Sequence, residues 1–256
     1  MSYLEKKFGL RGRVALVTGS SQGLGKAMAL ALAQSGADVI INGRDAAKLA
    51  PVVKEVEALG VKATAIAADL GQRADVGRLI AQAIAWQGRL DILVNNAGII
   101  RRTPAADYSD ADWDAVIDVN LNGVFTACRA AGKHMLARGS GKIVNIASLL
   151  TFFGGITVPA YAASKGAVGQ LTKALSNEWS GRGVQVNAIA PGYMRTDNTA
   201  ALQADPVRSK EILSRIPSGR WGEADDLAGA VVFLSSAASD YLTGQVMAVD
   251  GGWCAR

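Results

Sequence analysis

The sequence predicts an α/β fold: a doubly wound parallel sheet of about seven strands with helices on both faces. Three observations predict it. Short apolar runs rich in Val and Ile alternate along the chain with amphipathic stretches, the pattern of strands joined by right-handed helical crossovers. The first run, Val14–Thr18, is apolar at nearly every position, as a strand covered on both faces must be. That run opens into Thr18-Gly19-x-x-x-Gly23-x-Gly25 directly ahead of a helical stretch. Half of the 256 residues are hydrophobic, 19% are charged and 29 are glycine, which suits a sizeable core with many tight turns and argues against disorder.

In chain order, the first helix runs through Ala33 and stops at Ser35-Gly36. A strand, a glycine turn and a helix N-terminus make a phosphate site, because glycine lets the backbone approach the anion and the helix end supplies free N–H groups. The spacing departs from Gly-x-Gly-x-x-Gly, and a plain glycine turn is the alternative. The second strand, Asp38–Asn42, ends at Gly43-Arg44, where a dinucleotide fold faces the adenosine ribose. A carboxylate there would bond a 2′-hydroxyl, whereas arginine accommodates a 2′-phosphate. Arg44 therefore favours NADP(H), with NAD(H) possible if the guanidinium stacks on adenine or simply faces water. A helix from Asp45 to Leu59, a third strand Ala63–Ala67 closed by Asp69-Leu70, and a helix from Ala74 to Trp86 follow. The fourth strand, Asp91–Asn95, runs into Asn95-Asn96-Ala97-Gly98, whose amides can knit the sheet to a cofactor or merely form a turn.

Ile99–Arg102 reads as a loop, and its adjacent Arg101 and Arg102 either clamp a substrate carboxylate or sit solvated. A long helix spans Asp110–Ala137 with Asn120 inside it, an unfavourable interior residue that suggests a polar task. His134, the only histidine, reads as structural. The fifth strand, Lys142–Ile146, delivers Ser148, and the glycine-rich Phe152–Gly155 leads to a helix carrying Tyr161 and running to Ser180. Tyr161 and Lys165 are four apart, so both side chains project from one helix face. A nearby ammonium lowers a phenol's pKa from about 10 and fits it for proton transfer. A sixth strand, Val184–Ile189, ends at Pro191-Gly192. Residues 193–222 read as a lid, and a helix Ala224–Ala237 precedes the last strand, Gln245–Val249. No repeat or linker interrupts the chain, so residues 1–256 are read as one domain.

The net charge is +5 and the pI about 9.3, yet Lys and Arg are scattered, which argues against nucleic acid as a partner. Cys128 and Cys254 match no metal or redox spacing, and Cys128 reads as a small core residue. No apolar run approaches transmembrane length and no leader-like segment precedes the first strand, so a soluble, cytoplasmic protein is expected.

Taken together and in order, Thr18-Gly19-x-x-x-Gly23-x-Gly25, Asn95-Asn96-Ala97-Gly98, Asn120, Ser148, Tyr161-x-x-x-Lys165 and Pro191-Gly192 resemble the short-chain dehydrogenase/reductase family along nearly the whole chain. The resemblance implies a Rossmann-like fold, a nicotinamide cofactor and a homotetramer. It implies Asn120, Ser148, Tyr161 and Lys165 as catalytic residues. Tyr161 would be the acid or base, Ser148 would hold the carbonyl oxygen, Lys165 would bond the nicotinamide ribose, and Asn120 would order a water. The cofactor would be bound by Gly19, Ser21, Gln22, Gly23, Leu24, Gly25, Arg44, Asp69, Leu70, Asn95, Ala97, Gly98, Tyr161, Lys165, Pro191, Gly192 and Thr196, and no metal is expected. Within the family, Asn95–Arg102, Asn187–Met194, Ile216–Gly222 and Val249–Trp253 resemble 2-deoxy-D-gluconate 3-dehydrogenases, a group similar to reductases of 4-deoxy-5-keto uronates. Asn42-Gly43-Arg44 is more similar to NADP-linked gluconate 5-dehydrogenases. A small anionic sugar acid is thus the expected substrate, held by Arg101, Arg102 and Arg195 with Ser148 and Tyr161. A non-catalytic NAD(P) sensor is the rival of another class, disfavoured by the intact tetrad.

Overall fold

The computed structural model describes residues 2–255. Seven parallel strands, β1 (Val14–Val17), β2 (Asp38–Gly43), β3 (Ala63–Ala67), β4 (Ile92–Asn95), β5 (Gly141–Ile146), β6 (Val184–Pro191) and β7 (Val246–Val249), lie in the order β3-β2-β1-β4-β5-β6-β7. The expected α/β sheet is therefore observed, with every neighbouring pair parallel. The strand order reverses between β1 and β4, and a crevice opens there beyond the strands' C-terminal ends.

Ten α-helices are present among the described residues: α1 (Tyr3–Phe8), α2 (Gly23–Gln34), α3 (Ala46–Glu57), α4 (Arg73–Gln87), α5 (Asp110–Ile117), α6 (Gly123–Arg138), α7 (Pro159–Trp179), α8 (Ala200–Ala204), α9 (Pro206–Arg215) and α10 (Ala228–Ser235). The period-2 alternation of β1 sorts them into two cores. Val14 and Leu16 face Leu79 of α4, Cys128 of α6 and Val168 of α7, while Ala15 and Val17 face Met28 of α2, Leu49 of α3 and Val231 of α10. A third cluster joins Leu149 to Ile212, Ile216, Trp221 and Trp253.

Three details differ from the sequence expectation. The 110–137 helix is interrupted by a π-helical turn, Asp118–Asn122, between α5 and α6. The helix expected over 224–237 begins as a 3₁₀ turn, Ala224–Leu227, and continues as α10. α1 was not anticipated, although Ser2 and Glu5 form a capping box ahead of it. Among the described residues no helix is long and apolar enough to cross a membrane, and no group of three His, Cys, Asp or Glu is placed to hold a metal ion.

At the opposite, N-terminal edge of the sheet, Asp91 is fully buried. It accepts from the Val14 N–H at 2.8 Å and pairs with Arg89 at 2.7 Å, Arg138 at 3.2 Å and Arg13 at 3.8 Å. His134 is structural there: its Nε2 accepts from the Leu90 N–H at 3.3 Å.

Candidate active site

The turn after β1 is built for close approach. Gly19 takes a φ of +62°, a conformation that side chains rarely adopt. A Cβ on Gly25 would strike the Gly19 carbonyl and the Asn96 amide. Asn96 donates to the carbonyls of Thr18 at 2.9 Å and Gly19 at 3.0 Å, while Thr18 Oγ1 accepts from the N–H groups of Asn96 and Ala97 at 2.9 and 3.0 Å. The glycine turn and the turn after β4 are thus stitched into one floor. Above it lies a cleft of about 560 Å³ at the switch point, with α2 pointing its N-terminus into it. Gly19, Ser21, Gln22, Gly23, Leu24, Gly25, Arg44, Asp69, Leu70, Ala97, Gly98, Tyr161, Lys165, Pro191, Gly192 and Thr196 all line this cleft.

Asn95 is the exception. Its side chain points into the core and donates to Asn145 Oδ1 at 2.9 Å and Cys128 Sγ at 3.2 Å, so it knits β4 to β5 and is not a side-chain ligand. The amide that ties the turns together is Asn96. At the far corner of the cleft, Arg44 and Lys48 are exposed with no carboxylate partner among the described residues. Asp45 beside them is engaged as the N-cap of α3, accepting from the Ala47 N–H at 2.9 Å. Lys48, in the first turn of α3 and four residues beyond Arg44, escaped the sequence reading.

A second cavity of about 360 Å³ adjoins the first and shares Ser148, Tyr161, Pro191 and Gly192 with it. The catalytic candidates gather at this junction. Lys165 Nζ is buried, donates to the Ile146 carbonyl at 2.6 Å and lies 5.6 Å from the centre of the Tyr161 ring. Burial pushes the ammonium down to about 8. Burial also raises the Tyr161 phenol above its ordinary value, against the opposing pull of a hydrogen bond with Ser148 and the charge of Arg102. The sequence expectation was the reverse, a phenol acidified by Lys165. Here desolvation wins, and the group is a protonated acid at neutral pH.

Asn120 is fully buried in the π turn. Its Oδ1 accepts from the Ile99 N–H at 2.8 Å and its Nδ2 donates to the Ile99 carbonyl at 2.9 Å. Both bonds hold the loop that leads to Arg102, and the helix widens to bring this amide inward. Gly98 sits tightly alongside, where a Cβ would lie 3.3 Å from Asn120 Oδ1 and 3.8 Å from Lys165 Nζ.

Residues 13–207 match the short chain dehydrogenase family. The chain belongs to this family. It is 55% identical to the 2-dehydro-3-deoxy-D-gluconate 5-dehydrogenase of Pseudoalteromonas atlantica, over 98% of this chain and 99% of that one. It is 50% identical to the Bacillus subtilis protein of the same name, over the full length of both. A crystal structure of a gluconate 5-dehydrogenase from Burkholderia cenocepacia in complex with NADP and tartrate superposes with a TM-score of 0.96, at 43% identity, covering 99% of this chain and 100% of that one. The protein is an oxidoreductase of the short chain dehydrogenase family, with the Rossmann-like sheet expected of it.

For a short chain dehydrogenase the three expected substrate arginines are placed unevenly. Arg102 lines the second cavity with Ser148 and Tyr161, and its guanidinium donates to the Asn198 carbonyl at 3.5 Å. Arg101 lies instead on the cofactor cleft and pairs with Asp112 at 3.3 Å. Arg195 lines neither space: Glu223 at 3.0 Å and Gln203 at 3.2 Å occupy its guanidinium. Asp112 and Glu223 lie 11 and 28 residues beyond the arginines they hold, spacings that no helix or strand period brings into contact, so a linear reading had no sign of them. The segment after β6 does supply a different cation to the cavity, Arg208 of α9, together with Asn198, Thr199 and Leu202.

Proposed function

We propose that this protein is an NADPH-dependent reductase of a keto sugar acid. The best-supported reaction converts 2,5-diketo-3-deoxygluconate, or its isomer 4-deoxy-L-erythro-5-hexoseulose uronate, to 2-keto-3-deoxygluconate in pectin or alginate uronate catabolism. The observation that carries it is the junction of the two cavities, where Ser148 and Tyr161 border both a dinucleotide-sized cleft and a cationic pocket without any Asp or Glu in its lining. The residues fit NADP(H): Gly19 and Gly25 let the turn after β1 close onto Asn96 and Ala97, which shapes a backbone cradle for a diphosphate, and Arg44 and Lys48 offer unpaired charge for a 2′-phosphate. Arg102 is the residue for the acid group. Gluconate 5-dehydrogenase activity is the second reading, favoured by the Arg44 corner and by the NADP-bound relative that carries that name. The family resemblance also supports a cytoplasmic homotetramer, with the half-exposed Trp113 and Phe125 of α5 and α6 available for subunit contacts.

The cofactor, when bound, supplies the hydride. The chain's own groups handle charge and proton. As negative charge grows on the substrate oxygen, the hydroxyls of Ser148 and Tyr161 stabilise it, and Tyr161 Oη delivers the proton that completes the alcohol. Lys165, one turn along α7, then faces the phenolate that is left. Thr151 Oγ1 donates to the Lys165 carbonyl at 2.9 Å and pins that turn to the Ser148 segment. In the oxidative direction the same steps run backwards.

This chemistry needs a protonated Tyr161 and a charged Lys165. Reduction should therefore be level with pH below about 8 and fall above it, as Lys165 loses its proton. A pH profile of kcat/KM checks this, and Lys165→Arg should move the falling limb upward. A profile level to pH 10 in both proteins would remove Lys165 from the mechanism.

The function is tested by NADPH and NADH oxidation measured side by side on a small panel of keto-uronates and keto-gluconates. NADPH is expected to be preferred. Arg44→Ala with Lys48→Ala should raise KM for NADPH by about 10- to 100-fold, the worth of one or two charged hydrogen bonds, and leave NADH little changed. Turnover of none of the panel would overturn the assignment.

A further inference from the structure

We propose that Arg208, on lid helix α9, is a second cation that reads the substrate carboxylate beside Arg102, and that Glu211 holds it aside until the acid arrives. The proposal deepens the sugar-acid assignment and rests on it. Two separated segments, the loop after β4 and α9, bring arginine side chains to a cavity that Ser148 and Tyr161 also line. Two cations sharing a lining with no acidic side chain make a site for an anion, and a planar carboxylate matches the guanidinium fork.

The two arginines are differently occupied. Among the described residues Arg102 has no carboxylate partner, and it donates to the Asn198 carbonyl at 3.5 Å. Arg208 Nη1 pairs with Glu211 Oε2 at 2.8 Å, an i,i+3 pair whose side chains are 42% and 58% exposed. Such a surface pair contributes little, because water competes for both charges. A substrate carboxylate held in the cavity between two guanidinium groups is the stronger partner, so exchanging Glu211 for it is favourable. The helix itself need not unfold: Ile212, one turn on, stays seated against Leu149, Trp221 and Trp253.

The test uses the full-length enzyme with NADPH, the keto sugar acids of the panel above, and the matching neutral carboxamides. Arg208→Gln should raise KM for the acids by about 10- to 100-fold and leave the carboxamides within about twofold. Arg208→Lys should recover part of the loss. Glu211→Gln should act in the opposite direction, lowering KM for the acids by about two- to threefold, since the competing pair is gone. NADPH binding followed by fluorescence reports whether the variants are folded and should be unchanged. Equal losses on acids and carboxamides, or a Glu211→Gln variant as impaired as Arg208→Gln, would overturn the carboxylate role while leaving the function intact. A wild-type enzyme that turns over none of the acids would overturn the functional assignment and this role with it.

Discussion

Replacing Tyr161 by phenylalanine is expected to lower kcat for carbonyl reduction by about 10²–10⁴-fold, the usual contribution of a positioned general acid. The ring would remain where it is, packed on α7 and facing Lys165, so the cleft keeps its shape. NADPH affinity should change by no more than about threefold, because the glycine cradle and the Arg44 corner lie elsewhere in the cleft. Stopped-flow hydride transfer and a fluorescence titration separate the two effects. A variant with wild-type turnover would dismiss Tyr161 as the proton donor, and loss of cofactor binding instead of rate would make the phenol a structural group. The raised pKa makes the result sharper, since it keeps the phenol protonated in the neutral range, as the proposed proton delivery requires.

The second large effect is on stability and lies at the other edge of the sheet. Asp91→Ala should destabilise the protein by about 3 kcal/mol at pH 7, which corresponds to a Tm lower by roughly 6–12 °C. Burial alone would raise the Asp91 carboxyl. The paired Arg89, the Val14 N–H and the Arg138 charge outweigh it and hold the carboxyl below the usual range. A depressed folded pKa gives stability that is present above the unfolded value, about 3.9, and is lost as pH falls through the folded one. Wild-type and variant should therefore differ fully at pH 7 and converge in acid. Thermal melts at several pH values check this, and a constant gap down to pH 2 would show that the carboxylate's charge is not what matters. The arginines are half exposed and can turn to water, which keeps the loss below that of stranding a buried charge.

What could be read in the linear chain divides along physical lines. Short apolar runs announced all seven strands, most plainly β1 and β4, which are buried at every position. The glycine turn, Ser148, Tyr161 and Lys165 were legible because their chemistry depends on local spacing. The Asn120 helix was placed correctly, but not its π turn, whose Asn120 amide makes two hydrogen bonds to Ile99, 21 residues away. Arg101, Arg102 and Arg195 looked alike in sequence and were sorted only by Asp112 and Glu223, partners the fold supplies. Arg208 reads as one more charge on a polar amphipathic helix, and nothing local distinguishes it from Lys210. Thr157, with a φ of +61° at the rim of the second cavity, carries no sequence sign of its strain, yet its carbonyl accepts from the Thr103 N–H at 3.0 Å beside Arg102.

The widened turn between α5 and α6 limits how far this enzyme can be improved as a scaffold. Deleting one residue from 118–122 would let the helix close into regular α geometry, and a propensity-guided redesign would find that attractive. The deletion would also remove the extra residue that turns the Asn120 amide toward Ile99, while α5 and α6 kept their faces. Asn120 would then lose its grip on Ile99, and the strip bearing Arg102 would come free. A more regular rod here would leave the chemistry without its anchor.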